Sequence, residues 1–197
     1  MIVFYAGRVE LRFGFWFFAV IACFMLVGRA AFLWYMLLPV LIHELGHLIA
    51  LLACGGGVQR VTFTAFSLDI RTKGTEGFGY GRELLVAAAG VAANLLAAAA
   101  LYRFAFQSMR TMFLIAANMA VALFNLLPVG NLDGGGLLRL LAEHAGGVAF
   151  SWKISQAVSF FALVPLFAAA LFVLGQGGNL TLLVTCSYLA LVVIRQM

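Results

Sequence analysis

The chain has 197 residues, of which 65% are hydrophobic and only 10% charged, and its mean hydropathy is +1.10. Soluble domains carry about 25% charged residues, so this composition excludes a water-soluble enzyme and indicates an integral membrane protein with no stretch polar enough for a separate globular domain. The net charge of +5 comes from basic residues scattered between apolar runs; that pattern excludes a nucleic-acid partner and suits membrane topology signals.

Arg8 and Arg12 precede an apolar stretch from Phe13 to Val27. This resembles a signal peptide, but the stretch is rich in aromatics and Gly28-Arg29-Ala30 is a poor cleavage site, so a retained first span is expected. Hydropathy predicts six spans, at 13–28, 31–54, 83–102, 111–128, 156–175 and 180–194, several of them shorter than the ~20 residues that cross a bilayer unaided. The expected fold is therefore an all-α polytopic membrane protein. No internal repeat suggests a duplicated transporter. Cys23, Cys54 and Cys186 fall in or at the ends of apolar segments without a Cys-x-x-Cys pair, and read as small apolar residues.

With a cytoplasmic N-terminus, one side of the membrane holds Arg8, Arg12, Arg60, Arg71, Lys73, Arg82, Arg139, Lys153 and Arg195, and the other only Arg29, Arg103 and Arg110. The positive-inside rule then places both termini in the cytoplasm.

The second span contains His43-Glu44-Leu45-Gly46-His47. Residues four apart share one helix face, so the two imidazoles can grip one metal ion, and Glu44 is placed to handle a proton from the attacking water. Ionisable groups near a bilayer centre cost roughly 2.5–3.5 kcal/mol each on insertion scales, which makes them a functional-site hypothesis by default. At about 1.5 Å per residue, His43 lies ~16 Å and His47 ~10 Å before the cytoplasmic end of this span. Pro39, one turn before His43, either kinks the span and admits water or is a tolerated membrane proline.

After Gly55-Gly56-Gly57, apolar residues alternate at Val61, Phe63 and Ala65 and, after a one-residue slip, at Phe66, Leu68 and Ile70. Two short strands with a turn near Ala65-Phe66 are predicted, forming a membrane-associated β-hairpin between the second and third spans. It is either an ordinary surface hairpin or an edge that pairs with an extended peptide near Phe66.

A hydrolytic zinc ion usually has three protein ligands. Of the seven acidic residues, Glu10, Asp69, Glu76, Glu83 and Glu143 are expected in loops or at span ends, and Glu44 is the expected base. Asp133 remains, in Phe124-Asn-Leu-Leu-Pro-Val-Gly-Asn-Leu-Asp-Gly-Gly-Gly136, where Pro128 and Gly130 break the helix. From the residues alone, Asp133 is a metal ligand, a helix N-cap, or both. Asn94 and Asn125 are polar groups in apolar spans, which interhelical hydrogen bonding alone would explain. His144 is expected in a solvated loop.

His43-Glu-x-x-His47 followed by Asn125-Leu-Leu-Pro128-Val-Gly-Asn131-Leu-Asp133-Gly134 resembles the site-2 protease family of intramembrane zinc metalloproteases. Ala89-Gly90-Val-Ala-Ala-Asn94 resembles that family's Gly-Pro-x-x-Asn element. Val91 and Asn131 stand where the family pattern has proline, which bears on local backbone shape rather than on a ligand. The resemblance covers about residues 31–140, with 13–28, 156–175 and 180–194 as accessory spans of one membrane-embedded domain over 1–197, lacking the PDZ insert and CBS domain of some branches. The six-span layout most resembles the branch containing a sporulation protease that processes a membrane-tethered pro-sigma factor.

The resemblance implies zinc held by His43, His47 and Asp133, with Glu44 as the catalytic base. Asn94 and Asn125 would line the site and hold the substrate backbone, an edge near Phe66 would hold unwound substrate, and a membrane-tethered protein in the lipid bilayer of a bacterial cell would be the substrate. A regulatory membrane partner is a further expectation. Two other classes stand beside this one. An inactive zinc-binding scaffold would have no use for Glu44 and would tend to close the metal with a fourth ligand. A divalent-metal transporter would require more polar residues along several spans.

Overall fold

The structure, a computed structural model, describes residues 2–6, 9–26, 30–63, 68–105, 108–130, 132–178 and 180–195. These form four strands, β1 (Ile2–Ala6), β2 (Val9–Phe13), β3 (Gly57–Phe63) and β4 (Leu68–Lys73). They also form seven helices: α1 (Phe15–Leu26), α2 (Ala30–Ala53), α3 (Tyr80–Ala105), α4 (Met109–Asn125), α5 (Asp133–Gly146), α6 (Val148–Gly175) and α7 (Thr181–Arg195). The chain divides into two compact units, residues 1–122 and 123–197.

In the first unit, the expected hairpin is present as β3 and β4, antiparallel. Phe66, where the peptide edge was expected, lies outside the described residues. The chain is not all-α, because the hairpin belongs to a four-stranded sheet in the order β1-β2-β3-β4. β1 and β2 pair antiparallel, and β2 runs parallel to β3 through the long connection that carries α1 and α2. Phe13 and Phe63 are register partners, and their rings stack at 4.5 Å and 6°. Glu10 accepts hydrogen bonds from Arg12 Nε (2.9 Å) and Arg60 Nε (2.6 Å), joining β2 to β3. These two guanidinium groups, Arg12 first, hold the Glu10 carboxyl below its ordinary range.

Three helices are long and apolar enough to cross a membrane: α2 over Trp34–Ala53, α3 and α6. They correspond to the second, third and fifth expected spans. The described part of α1 has 12 residues, α4 has 17 and α7 has 15. These three are apolar but shorter than an unaided crossing, so the count of six spans goes beyond what the helix lengths carry.

α2 and α3 pack along small residues. A Cβ on Gly46 would lie 2.6 Å from both the Ala89 carbonyl oxygen and the Ala93 Cβ. Close backbone approach of this kind replaces the hydrophobic driving force that lipid removes. The outer face of α2 keeps Leu45, Ile49 and Leu52 exposed, while His43 on the inner face is buried.

The second unit is built from the end of α4, a non-helical turn, α5, α6 and α7. Val129, Leu163, Leu189 and Val193 form its core, with Leu127, Leu132 and Phe167 packed against them. The expectation of a loop through Glu143 and His144 is corrected: both lie in the last turn of α5. Residues 132–146 are amphipathic rather than apolar throughout, so a hydropathy reading passes over them.

Candidate metal centre

The His43-Glu44-Leu45-Gly46-His47 segment is continuous helix within α2, so both imidazoles leave the same face. Each ring is oriented through its Nδ1. His47 Nδ1 lies 2.7 Å from the Val86 carbonyl oxygen on α3. A carbonyl only accepts, so Nδ1 carries the proton and Nε2 the lone pair. His43 Nδ1 lies 2.8 Å from Asn94 Oδ1. The Asn94 amide is itself oriented, because its Nδ2 donates to the Pro39 carbonyl (2.8 Å) and to Asn118 Oδ1 (2.9 Å). Asn118 Nδ2 in turn donates to the Leu114 carbonyl at 2.8 Å. The chain of bonds ends on backbone acceptors, which leaves one consistent assignment: His43 also carries its proton on Nδ1 and its lone pair on Nε2.

The two Nε2 atoms face one another at 3.2 Å. With the protons on Nδ1, two Nε2 lone pairs face each other at this spacing, an arrangement that a bound cation would satisfy. Nitrogens at 2.0–2.1 Å from one tetrahedral ion stand about 3.3–3.4 Å apart. The observed spacing fits. Space is kept at this point by Gly90 of α3, where a Cβ would run into His47 Nε2 and come within 2.7 Å of His43 Nε2. His43 and His47 are thus arranged so that their Nε2 atoms could hold a metal ion.

Glu44 is half-buried and adjacent in α2. Asn94 is fully buried in α3, on the helix face shared with Gly90 and Ala98. Asn118, equally buried in α4, was not among the residues singled out from sequence. Its signal was legible all the same: it is an asparagine in an apolar helix, two turns before Asn125. The Val86 carbonyl has no sequence signal. Val91 sits buried in an unbroken α3 where the family pattern has proline, and Asn131 lies outside the described residues.

Asp133 belongs to the second unit. It is the first residue of α5 rather than its N-cap; Leu132 holds the cap position and makes no side-chain cap bond. A carboxylate in a first helical turn sits favourably on the helix dipole. The turn before it is non-helical, yet its backbone is satisfied by Ser159 of α6, which donates to the Pro128 carbonyl (3.0 Å) and accepts from Gly130 N–H (3.3 Å). Gly134 and Gly135 are required by close approach. A Cβ on Gly134 would strike the Leu126 carbonyl and lie 2.6 Å from the Leu127 oxygen, and one on Gly135 would lie 2.6 Å from the Gly130 oxygen. Asn125 ends α4 in this same unit.

Residues 107–169 match the family model described as Peptidase family M50. The matched stretch includes Asp133 and leaves the His43–His47 segment outside it. The structure titled Site-2 Protease from Methanocaldococcus jannaschii aligns with a TM-score of 0.67, at 17% identity, over 99% of this chain and 94% of that one. The chain shares the fold of that structure. No curated protein sequence matches the chain. The chain thus resembles the site-2 proteases in overall fold, and a metal-dependent peptidase family in the sequence around Asp133.

Proposed function

We propose that this chain is an intramembrane zinc metalloendopeptidase that cuts a membrane-tethered protein within or near a transmembrane segment. The supporting observation is the pair of Nε2 lone pairs 3.2 Å apart beside a glutamate on an apolar helix. The donor chemistry of His43, His47 and Asp133 suits a metal ion, and an imidazole–imidazole–carboxylate set is the type that zinc peptidases use. In this reading residues 1–197 act as one membrane-embedded domain, and Asp133 completes the ligand set.

Bound zinc would supply Lewis acidity, lowering the pKa of water and polarising the scissile carbonyl. Glu44 accepts the proton of the attacking water and returns it to the leaving amine. Asn94 holds His43 in the tautomer that a metal needs, so its part is positioning rather than substrate contact. Asn125 and an edge near Phe66 are assigned to the unwound substrate backbone, because a helical substrate hides its amides until it opens. Both termini are assigned to the cytoplasm in a multi-pass, six-span layout, the membrane to a bacterial cell, and access to control by a membrane partner. The substrate class follows the sporulation-type branch, a tethered regulatory factor.

The test pairs two substitutions in the full chain. Glu44→Gln should lose cleavage of a membrane-tethered reporter by about 10³-fold or more while its zinc content stays near wild type. Asp133→Ala should lower bound zinc itself. Retained cleavage in the first variant removes the base, and an unchanged metal content in the second removes the third ligand.

A further inference from the structure

The second unit contains a cavity of about 100 Å³ between α5, α6 and α7 that takes no part in the proposed peptidase chemistry. Arg139, Trp152, Ser155 and Gln156 line it, together with the backbone of Gly130 and Gly135. Its volume accommodates several waters or one small polyatomic group. Arg139 and Trp152 offer only donors, and Ser155 and Gln156 can add more. Among the described residues no carboxylate lines the cavity, and Glu143, one turn beyond Arg139 in α5, is not part of the lining. The electrostatics therefore favour an oxyanion.

A second observation points the same way. Ser155 Oγ is shut off from solvent and has no hydrogen-bond partner, the one such side-chain atom found among the described residues. Buried hydroxyls are otherwise almost always paired, because an unmade bond costs free energy. Ser155 is one of the residues lining the cavity, so a rotation about its χ1 would turn this unpaired hydroxyl toward an acceptor bound beside Arg139.

We infer that this cavity is a binding site for a phosphate-type oxyanion, carried by an anionic lipid headgroup or by free phosphate. A guanidinium fork matches phosphate oxygens bidentately. Tryptophan and arginine at the rim of apolar helices lie at headgroup depth, where basic interhelical pockets capture anionic lipids. Trp152 and Arg139 are both exposed enough to form such a rim. Occupancy would also brace the backbone on either side of Asp133, since Gly130 and Gly135 form part of the wall. The inference does not depend on the peptidase reading, because binding is measured directly.

The experiment uses the full-length protein in detergent, with phosphatidylglycerol, phosphatidylcholine and inorganic phosphate as separate probes. Native mass spectrometry reads retained lipid, and thermal shift reads phosphate. The protein is expected to retain phosphatidylglycerol over phosphatidylcholine, or to be stabilised by phosphate; which probe acts distinguishes headgroup from free anion. Arg139→Gln should weaken that binding by about tenfold or more, as loss of a charge-assisted bidentate contact does. Ser155→Ala should weaken it while leaving the Tm of the ligand-free protein unchanged or higher. Lys153→Gln, an exposed cation outside the lining, should stay within about twofold of wild type, as rim charges do. If Arg139→Gln does not fold, Ser155→Ala carries the decision. Failure of the wild type to bind any probe, equal loss in Lys153→Gln and Arg139→Gln, or unaltered binding in Ser155→Ala would each overturn the assignment.

Discussion

His43 and His47 reach the same tautomer by different means. His47 needs one backbone carbonyl, that of Val86, whereas His43 depends on two asparagines in series, Asn94 and Asn118. The asparagines are worth their burial because each has an acceptor at a fixed place, and an unsatisfied amide there would cost about 1–3 kcal/mol. Asn118→Leu keeps the branched shape, with somewhat more bulk, but removes the acceptor for Asn94, so metal affinity measured against a chromogenic chelator should fall about 10–100-fold, the range seen for outer ligand partners. Gly90→Ala should be more severe for metal and milder for the fold. Helix propensity gains about 0.8–1 kcal/mol, but the added methyl occupies the space at both Nε2 atoms. A Gly90→Ala protein that binds zinc as wild type does would show that this space is not where the ion sits.

At the scale of elements, the segment from Leu126 to Gly136 converts the end of one helix into a carboxylate at the start of the next. Proline stops α4, since Pro128 has no N–H to continue the ladder. Val129 N–H turns back to the Leu127 carbonyl at 2.8 Å, and Leu132 N–H to Val129 at 3.0 Å. The three consecutive glycines are not equivalent. Gly134 and Gly135 lie against backbone, whereas nothing stands within 4 Å of a Cβ on Gly136. Gly134→Ala should therefore cost about 1–3 kcal/mol, as overpacking does. Gly136→Ala should be neutral or stabilising by up to about 1 kcal/mol. Thermal unfolding of both variants checks the contrast, and similar behaviour would mean that the turn gives way to a methyl at either position.

For the whole molecule, charge and hydropathy act together. The proposed topology places nine of the twelve basic residues on the side of the termini. Single cysteines introduced at residue 3 and at residue 195, in a chain whose native Cys23, Cys54 and Cys186 are changed to alanine, should both resist a membrane-impermeant maleimide in intact cells. Both should react after permeabilisation; labelling of either one in intact cells would invert or split the orientation. The first strand and its partner add a constraint that hydropathy does not show. β2 is tied to β3 by the Glu10 bridge and the Phe13–Phe63 stack, so α1 and α2 are closed into a loop whose ends meet at the sheet.

The residues proposed to carry chemistry were legible because membranes make such groups rare. In an apolar helix a His-Glu-x-x-His spacing, a lone asparagine or an aspartate after a proline break is costly to insert, so each stands out against its apolar neighbours. Helix periodicity alone puts His43 and His47 on one face. Span positions followed from hydropathy, through the same contrast between polar and apolar residues. The hairpin was visible as two alternating runs. The alternation of Val9-Glu10-Leu11-Arg12-Phe13 was equally regular, but it read as charges before a span, because pairing partners some fifty residues away have no local signature. α5 was missed because amphipathic helices lack a hydropathy peak. Only tertiary structure decided the tautomers, the role of Asn118 and the space kept by Gly90. Each of these rests on distances between backbone and side chains from separate helices, and such distances arise when the helices pack, not from the order of residues along any one of them.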